Sequence, residues 1–161
     1  MLARELMTEH PVCCTPDTLL QDAASMMLDA DCGCLPVIEP AGGVPRLVGV
    51  VTDRDIAVRG VAAGKGPEGR VRDVMTWDVC VCTPDTDVEQ VEELMAQHQV
   101  RRIPVVDEVG ACIGVIAQAD LAINGAAASE DEVGRLVEQI SEPHHPLPQD
   151  LNERGETILW R

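Results

Sequence analysis

The chain states one pattern twice, and that repetition restricts its fold more than any other property of the sequence. Met7-Thr8 returns as Met75-Thr76, Cys14-Thr15-Pro16-Asp17-Thr18 as Cys82-Thr83-Pro84-Asp85-Thr86, and Leu35-Pro36-Val37 as Ile103-Pro104-Val105, all in one register. Further on, Gly49-Val50-Val51-Thr52-Asp53-Arg54-Asp55-Ile56 returns as Gly114-Val115-Ile116-Ala117-Gln118-Ala119-Asp120-Leu121 in a shorter register, so the second copy has lost residues between those blocks. The loss falls where the first copy is rich in Gly and Pro, which means a shortened turn. A period this long exceeds that of solenoid repeats and fits a small supersecondary domain made twice, with two related surfaces facing a shared pseudo-twofold cleft.

Each copy reads β-α-β-β-α, an α/β (α+β) fold. Val12-Cys13-Cys14 and Val79-Cys80-Val81-Cys82 read as short strands that end before Thr-Pro, because the residue preceding proline is held extended. A helix follows in each copy, and Thr18 with Gln21 and Thr86 with Glu89 are spaced as capping boxes. Leu20, Ala23 and Met27, and again Val88, Val91 and Met95, recur at helical spacing and predict the buried stripes. The apolar runs 35–38 and 47–51, then 103–106 and 112–116, predict strands covered on both faces, each pair leading into a second helix that begins near Thr52 or Gln118. The organisation expected is a first repeat over 1–63, a linker over 64–70, a second repeat over 71–125, a C-terminal helix over 126–142 and an extended tail over 143–161. That last helix opens on Ser129 and Glu132 and carries Val133, Leu136, Val137 and Ile140 on one face.

Composition narrows the function. With 161 residues and 45% hydrophobic content the chain can bury a core, and no run approaches the ~20 apolar residues that span a bilayer. No signal-peptide core follows Met1, and a cytoplasmic protein is expected. A formal charge of −16 repels nucleic acid polymers and anionic membranes, and Trp77 and Trp160 are the only aromatic side chains available for base stacking. A single nucleotide stays compatible with a locally complementary pocket. Seven cysteines cannot all pair within one chain, and most are expected as small core residues. Cys32-x-Cys34 and Cys80-x-Cys82 have one residue fewer between their thiols than structural zinc sites prefer, so no metal site is assigned.

The repeated T-P-D-T, h-P-V-h and G-h-h-T-x-x-D segments (h, aliphatic) resemble tandem cystathionine-β-synthase (CBS) domains, the Bateman module, over residues 1 to about 125. Thr52-Asp53-Arg54-Asp55-Ile56, Gly60-Val61-Ala62-Ala63-Gly64 and His98-Gln99-Val100-Arg101-Arg102-Ile103-Pro104-Val105 are similar to the stand-alone two-domain members typified by the mycobacterial hypoxic response protein. The resemblance implies an adenosine-containing ligand such as AMP, ADP or ATP in the cleft and assembly as a disc-like homodimer. Apolar positions on the repeat helices, more than one unit can cover, also point to a homodimer.

The residues of the G-h-h-T-x-x-D turn agree with a nucleotide. A helix starting near Thr52 offers free N–H groups, the Thr52 hydroxyl adds a donor, and Asp55 can accept from both ribose hydroxyls; Gln118 and Asp120 hold the equivalent places. Aliphatic walls for adenine are expected from Leu35 and Val37 or Ile103 and Val105, with backbone groups near Thr15 and Thr83 reading its edge and Arg101 or Arg102 pairing with phosphate. Ala117 in place of Thr52 predicts the first turn as the better phosphate binder, with Asp53 acting against it. Thr and Asp at these places are also ordinary helix-capping residues. Ser25, Ser129 and Ser141 lie in no G-x-S-x-G, and neither H-E-x-x-H nor a Walker A pattern occurs, so an enzyme is not expected and no cofactor is required. The alternative to a ligand sensor is an interaction scaffold with a vestigial cleft, linked to redox chemistry through its cysteines.

Overall fold

A computed structural model of the protein describes residues 1–124 together with Gly134, Arg135 and Val137. Apart from those three positions, the expected C-terminal helix with its Ser129–Glu132 box and the tail lie outside the described residues. The elements in chain order are α1 (Ala3–Leu6), β1 (Thr8–Glu9), α2 (Leu20–Asp29), β2 (Cys34–Ala41), β3 (Val44–Thr52) and α3 (Asp53–Asp55), which continues as a π-helical turn (Ile56–Gly60) and a 3-10 turn (Val61–Ala63). A 3-10 turn (Val71–Asp73), β4 (Thr76–Trp77), α4 (Val88–His98), β5 (Arg102–Val106), β6 (Cys112–Ala117) and α5 (Gln118–Asn124) complete the fold.

Two antiparallel three-stranded sheets result, ordered β2-β3-β4 and β1-β6-β5. Each takes its edge strand from a distant part of the chain. β1 pairs with β6 through Thr8 and Val115, and β4 pairs with β3 through Val50 and Thr76. The opening stretch of the first repeat therefore folds onto the second, and the opening stretch of the second repeat folds onto the first. Ala3 and Leu6 join Val88, Val91, Met95, Ile103, Val105 and Ile116 in one core, whereas Val71, Val74 and Met75 join Leu20, Ala23, Met27, Leu35, Val37 and Val51 in the other. Both helical stripes predicted from the sequence are thus buried.

The crossing segments also saturate the helix starts. The first N–H groups of α2, at Leu20 and Gln21, donate to the carbonyls of Gly69 (2.8 Å) and Pro67 (3.1 Å), and Val88 N–H of α4 donates to Met1 O (2.9 Å). In return Val71 and Arg72 donate to the carbonyls of Thr18 and Pro16, as Ala3 and Arg4 do to those of Thr86 and Pro84. Arg72 pairs with Asp17 at 2.6 Å, and Arg4 pairs with Asp85 in the same way.

These contacts correct two expectations. Thr18 and Thr86 do not form capping boxes: α2 is preceded by Leu19 and α4 by Asp87, whose carboxylate accepts from Glu89 N–H at 3.4 Å. The two threonine hydroxyls instead accept from the N–H groups of Thr15 and Thr83, both at 3.0 Å. That diversion also ends the strands expected at 12–14 and 79–82, each of which reduces to one parallel bridge, Cys14 to Val37 and Cys82 to Val105.

Candidate functional site

The two sheets approach each other through β3 and β6, where Leu47 N–H donates to Gly110 O at 3.0 Å and Arg46 faces Ala111. Each strand of that pair ends in the turn the sequence singles out. In the first copy Thr52 caps α3: its hydroxyl accepts from Asp55 N–H at 3.1 Å and donates to Asp55 Oδ2 at 2.8 Å, which also accepts from Thr52 N–H at 2.9 Å. In the second copy Ala117 has no hydroxyl, but its N–H still donates to Asp120 Oδ2 at 2.7 Å. Both aspartates thus hold their turn through one carboxylate oxygen. The other oxygen of Asp55 lies 3.6 Å from Arg59 Nε.

The Thr52 hydroxyl is engaged within its own turn, which removes the basis for expecting the first turn to be the better phosphate binder. A second difference points the same way. Gly33 O accepts from Asp53 N–H at 3.2 Å, and Arg101 O accepts from Gln118 N–H at 2.8 Å in the equivalent place. A side chain at Gly33 would run into the Asp53 carboxylate, with Oδ2 only 2.9 Å from its Cβ position. The first turn therefore presents Asp53 and Asp55, and the second presents Arg101, Gln118 and Asp120 with Arg102 adjacent. Both arginines are exposed.

The expected adenine walls are placed differently. Leu35, Val37, Ile103 and Val105 are all 0% exposed, because their strands are covered on both faces and these side chains fill the two cores. As they stand they present nothing to a cleft, which corrects that reading. Thr15 and Thr83 are exposed at the two strand ends, but their N–H groups are taken by Thr18 and Thr86, their hydroxyls lie 3.2 and 3.0 Å from the hydroxyls of those same residues, and their carbonyls accept from the N–H groups of Thr18 and Thr86.

A group that sequence reasoning passed over lies between the repeats. The Cys13 thiol donates to Pro11 O at 3.2 Å and the Cys112 thiol to Gly114 O at 3.5 Å, and Cys34 is close enough to influence Cys14 and Cys112. Arg102 of the second repeat acts electrostatically on Cys34 of the first, although burial outweighs it and pushes that thiol up to about 11. Burial pushes Cys14 to about 12 and Cys82 to about 11. The neighbouring thiol shifts both groups, lowering Cys13 and, together with burial, raising Cys112. No group of three or more His, Cys, Asp or Glu among the described residues is arranged to hold a metal ion.

The molecule also carries a groove of about 490 Å³ between α2 and residues 56–67, lined by Leu20, Leu28, Ile56, Val61 and Lys65. Leu28 and Val61 beside it are 81% and 68% exposed. Among the described residues no helix is long and apolar enough to cross a membrane.

Comparison with known proteins agrees with the repeat. The family model of the CBS domain matches residues 3–60 and 71–124. The CBS domain-containing protein YhcV of Bacillus subtilis is 37% identical over 138 residues, covering 86% of this chain and 94% of its own. Hypoxic response protein 1 of Mycobacterium tuberculosis is 33% identical over 121 residues, covering 74% and 82%. A crystal structure of hypoxic response protein I with two coordinated zinc ions superposes with a TM-score of 0.69 at 30% identity, over 77% of this chain and 98% of that one. The CBS domain pair of MJ0100, solved with 5′-methylthioadenosine and S-adenosyl-L-methionine, shares the fold with a TM-score of 0.67 at 23% identity, over 76% and 93%.

Proposed function

The chain belongs to the CBS-domain family as a tandem pair, and from that premise we propose that it is a regulatory module, not an enzyme, that binds an adenosine-containing ligand between its repeats. The observation that carries this reading is the pair of strand-to-helix turns in which Asp55 and Asp120, at equivalent places, each hold the turn through Oδ2. A carboxylate fixed in this way is preorganised for a ribose diol through its other oxygen. The MJ0100 complex supports adenosine as the ligand class. Arg101 and Arg102 make the second turn the better partner for a phosphate, whereas Asp53 suits the first to a ligand of low negative charge. The setting is cytoplasmic, and the module works as a homodimer.

Melting curves with AMP, ADP, ATP, S-adenosylmethionine and 5′-methylthioadenosine test the reading. At ~100 Kd one bound ligand adds about 2.7 kcal/mol, a rise in Tm of roughly 5–10 °C for a chain of this size. Asp120→Ala should abolish the shift with phosphorylated ligands, and Arg101→Ala should weaken AMP more than 5′-methylthioadenosine. No shift with any compound at millimolar concentration, using protein shown to carry no bound nucleotide, sinks the proposal. The burial of Leu35, Val37, Ile103 and Val105 in the cores favours the second reading in that event, an interaction scaffold whose cleft holds no base.

A further inference from the structure

Arg59 joins two parts of the molecule that the chain keeps apart. Its Nε lies 3.6 Å from Asp55 Oδ1, the carboxylate oxygen that the Thr52 turn leaves over. Its Nη1 is within hydrogen-bond reach of three acceptors on the opening segment of the second repeat: Val74 O at 3.2 Å, Thr76 Oγ1 at 3.3 Å and Met75 O at 3.4 Å. Those residues follow the 3-10 turn (Val71–Asp73) and lead into β4, the edge strand that completes the first sheet. A guanidinium is a rigid plane, so Nε and Nη1 cannot move independently. The Arg59 side chain is 53% exposed and can leave this position without opening a core.

The second half has no such arm. By the register of the repeat Asn124 stands where Arg59 does. The helix after the second turn, α5, is regular through Asn124, whereas Ile56–Gly60 winds as a π-helical turn. Such turns are rare and recur at functional sites. Gly60, which ends it, is buried against α2, where a Cβ would come within 3.2 Å of Leu20. The end of the turn is thus anchored on α2, and Arg59 reaches from it to segment 74–76.

We infer that Arg59 is a positioning residue that couples the state of the Asp55 carboxylate to the crossing segment 74–78. With Oδ1 uncovered, the carboxylate holds the guanidinium in place, and Nη1 braces Val74, Met75 and Thr76. A group that donates to Oδ1 takes up the charge that holds Nε, Arg59 is released, and β4 loosens. The identity of that group as a ribose diol rests on the reading of Asp55 given above; the coupling belongs to the protein alone. Only the first turn acts on the opposite repeat in this way, and segment 6–10 stays indifferent to Asp120.

Hydrogen exchange of the full chain, read by mass spectrometry, tests this, with peptides over 71–78 compared with those over 6–10 and with α4 and β5 as the measure of folding. Asp55→Asn keeps an acceptor for the Thr52 groups and removes the charge that faces Arg59. Exchange over 74–78 should become roughly threefold to tenfold faster, with 6–10, α4 and β5 unchanged. Arg59→Met should give the same change, and the double variant no more than either alone. Asp120→Asn should leave 6–10 as it was. Adenosine, uncharged and with a free ribose diol, is then added to a chain carrying Asp120→Ala, so that binding is read at the first turn. It should speed exchange over 74–78 there, and have no effect on that segment once Arg59→Met is added. Acceleration by Arg59→Met with none by Asp55→Asn makes Arg59 a structural strut and overturns the inference. Additive acceleration in the double variant overturns it too, as does adenosine that raises the Tm of the Asp120→Ala chain and leaves 74–78 unchanged. If adenosine does not bind, the ribose reading of Asp55 fails, and the coupling is decided by the two substitutions.

Discussion

At the scale of single residues, two glycines and a set of buried thiols set the tolerances. Gly49 and Gly114 lie where the crossing strands pass over β3 and β6, facing Trp77 and Glu9 respectively. A Cβ at Gly49 would meet the backbone oxygen of Thr76, which is fixed by the ladder, whereas at Gly114 it would meet the Met7 side chain, which can swing aside. Gly49→Ala should therefore cost about 1–3 kcal/mol and Gly114→Ala clearly less. Urea unfolding of the two variants checks the order, and equal losses would contradict it. The thiols give a pH dependence with a definite sign. Cys14, Cys34 and Cys82 hold their protons to about 12, 11 and 11 when folded, against an ordinary value of 9.0, so the folded state binds more protons in the window between. Stability is then fully present below pH 9 and declines as the pH rises through 9 to 11, by up to about 1.4 kcal/mol per unit for each thiol. With no tyrosine and Lys65 the only lysine, thiols dominate this window, and Cys80 and Cys112 are raised in the same direction. Cys13 alone among the shifted thiols runs the other way. A urea midpoint that stays flat across that window would contradict the placement of these three side chains. Asp55 shows why a motif residue is hard to read from sequence: the capping role and the proposed ligand role use the same carboxylate, and capping takes one oxygen while the other lies 3.6 Å from Arg59 Nε.

At the scale of elements, the exchange of edge segments is the main structural fact. Helix α1 and strand β1 open the first repeat in the chain, yet they supply Ala3 and Leu6 to the second core and an edge strand to β6, and Met1 just before them gives a carbonyl to the start of α4. Deleting residues 1–9 should therefore destabilise the second repeat first. Hydrogen exchange should accelerate in α4, β5 and β6 while α2 and β2 keep most of their protection. Faster exchange confined to α2 and β2 would be incompatible with this pairing. The recurrence of Ala3-Arg4-Glu5-Leu6-Met7-Thr8 as Val71-Arg72-Asp73-Val74-Met75-Thr76 carries the signal for this element in the sequence, since Arg4 and Arg72 make equivalent ion pairs. The letters do not say which repeat each copy joins. The helical stripes were legible because burial imposes its period on the chain, and Leu20, Ala23, Met27, Val88, Val91 and Met95 are all buried. The helix starts were not, because Thr18 and Thr86 had two competing acceptor roles and the nearer backbone donors, at Thr15 and Thr83, took their hydroxyls.

At the scale of the whole molecule, the apolar surface beside α2 is the feature a lone chain does not explain. Leu28, Val58 and Val61 are exposed together along α2 and the turns after α3, and a second copy covering this face is the homodimer proposed above. Leu28→Glu should convert a dimer to a 17.3 kDa monomer with little loss of monomer stability, because the side chain is 81% exposed and packs on nothing that the charge would disturb. Light scattering at micromolar concentration checks both species, and an unsubstituted chain that runs as a monomer ends the proposal. The sequence by itself determined the repeat, the two sheets' inner strands, the buried helix stripes and the membership of the CBS family, since each is written in local order: period, apolar run or motif spacing. Only the tertiary structure decided which half each edge strand completes and that Leu35, Val37, Ile103 and Val105 face the cores. Those are contacts between residues far apart in the chain, and a repeated sequence is equally compatible with each copy closing on itself or on its neighbour. The structure chooses the second, because residues 1–9 and 67–77 complete the sheets and cap the helices of the opposite half.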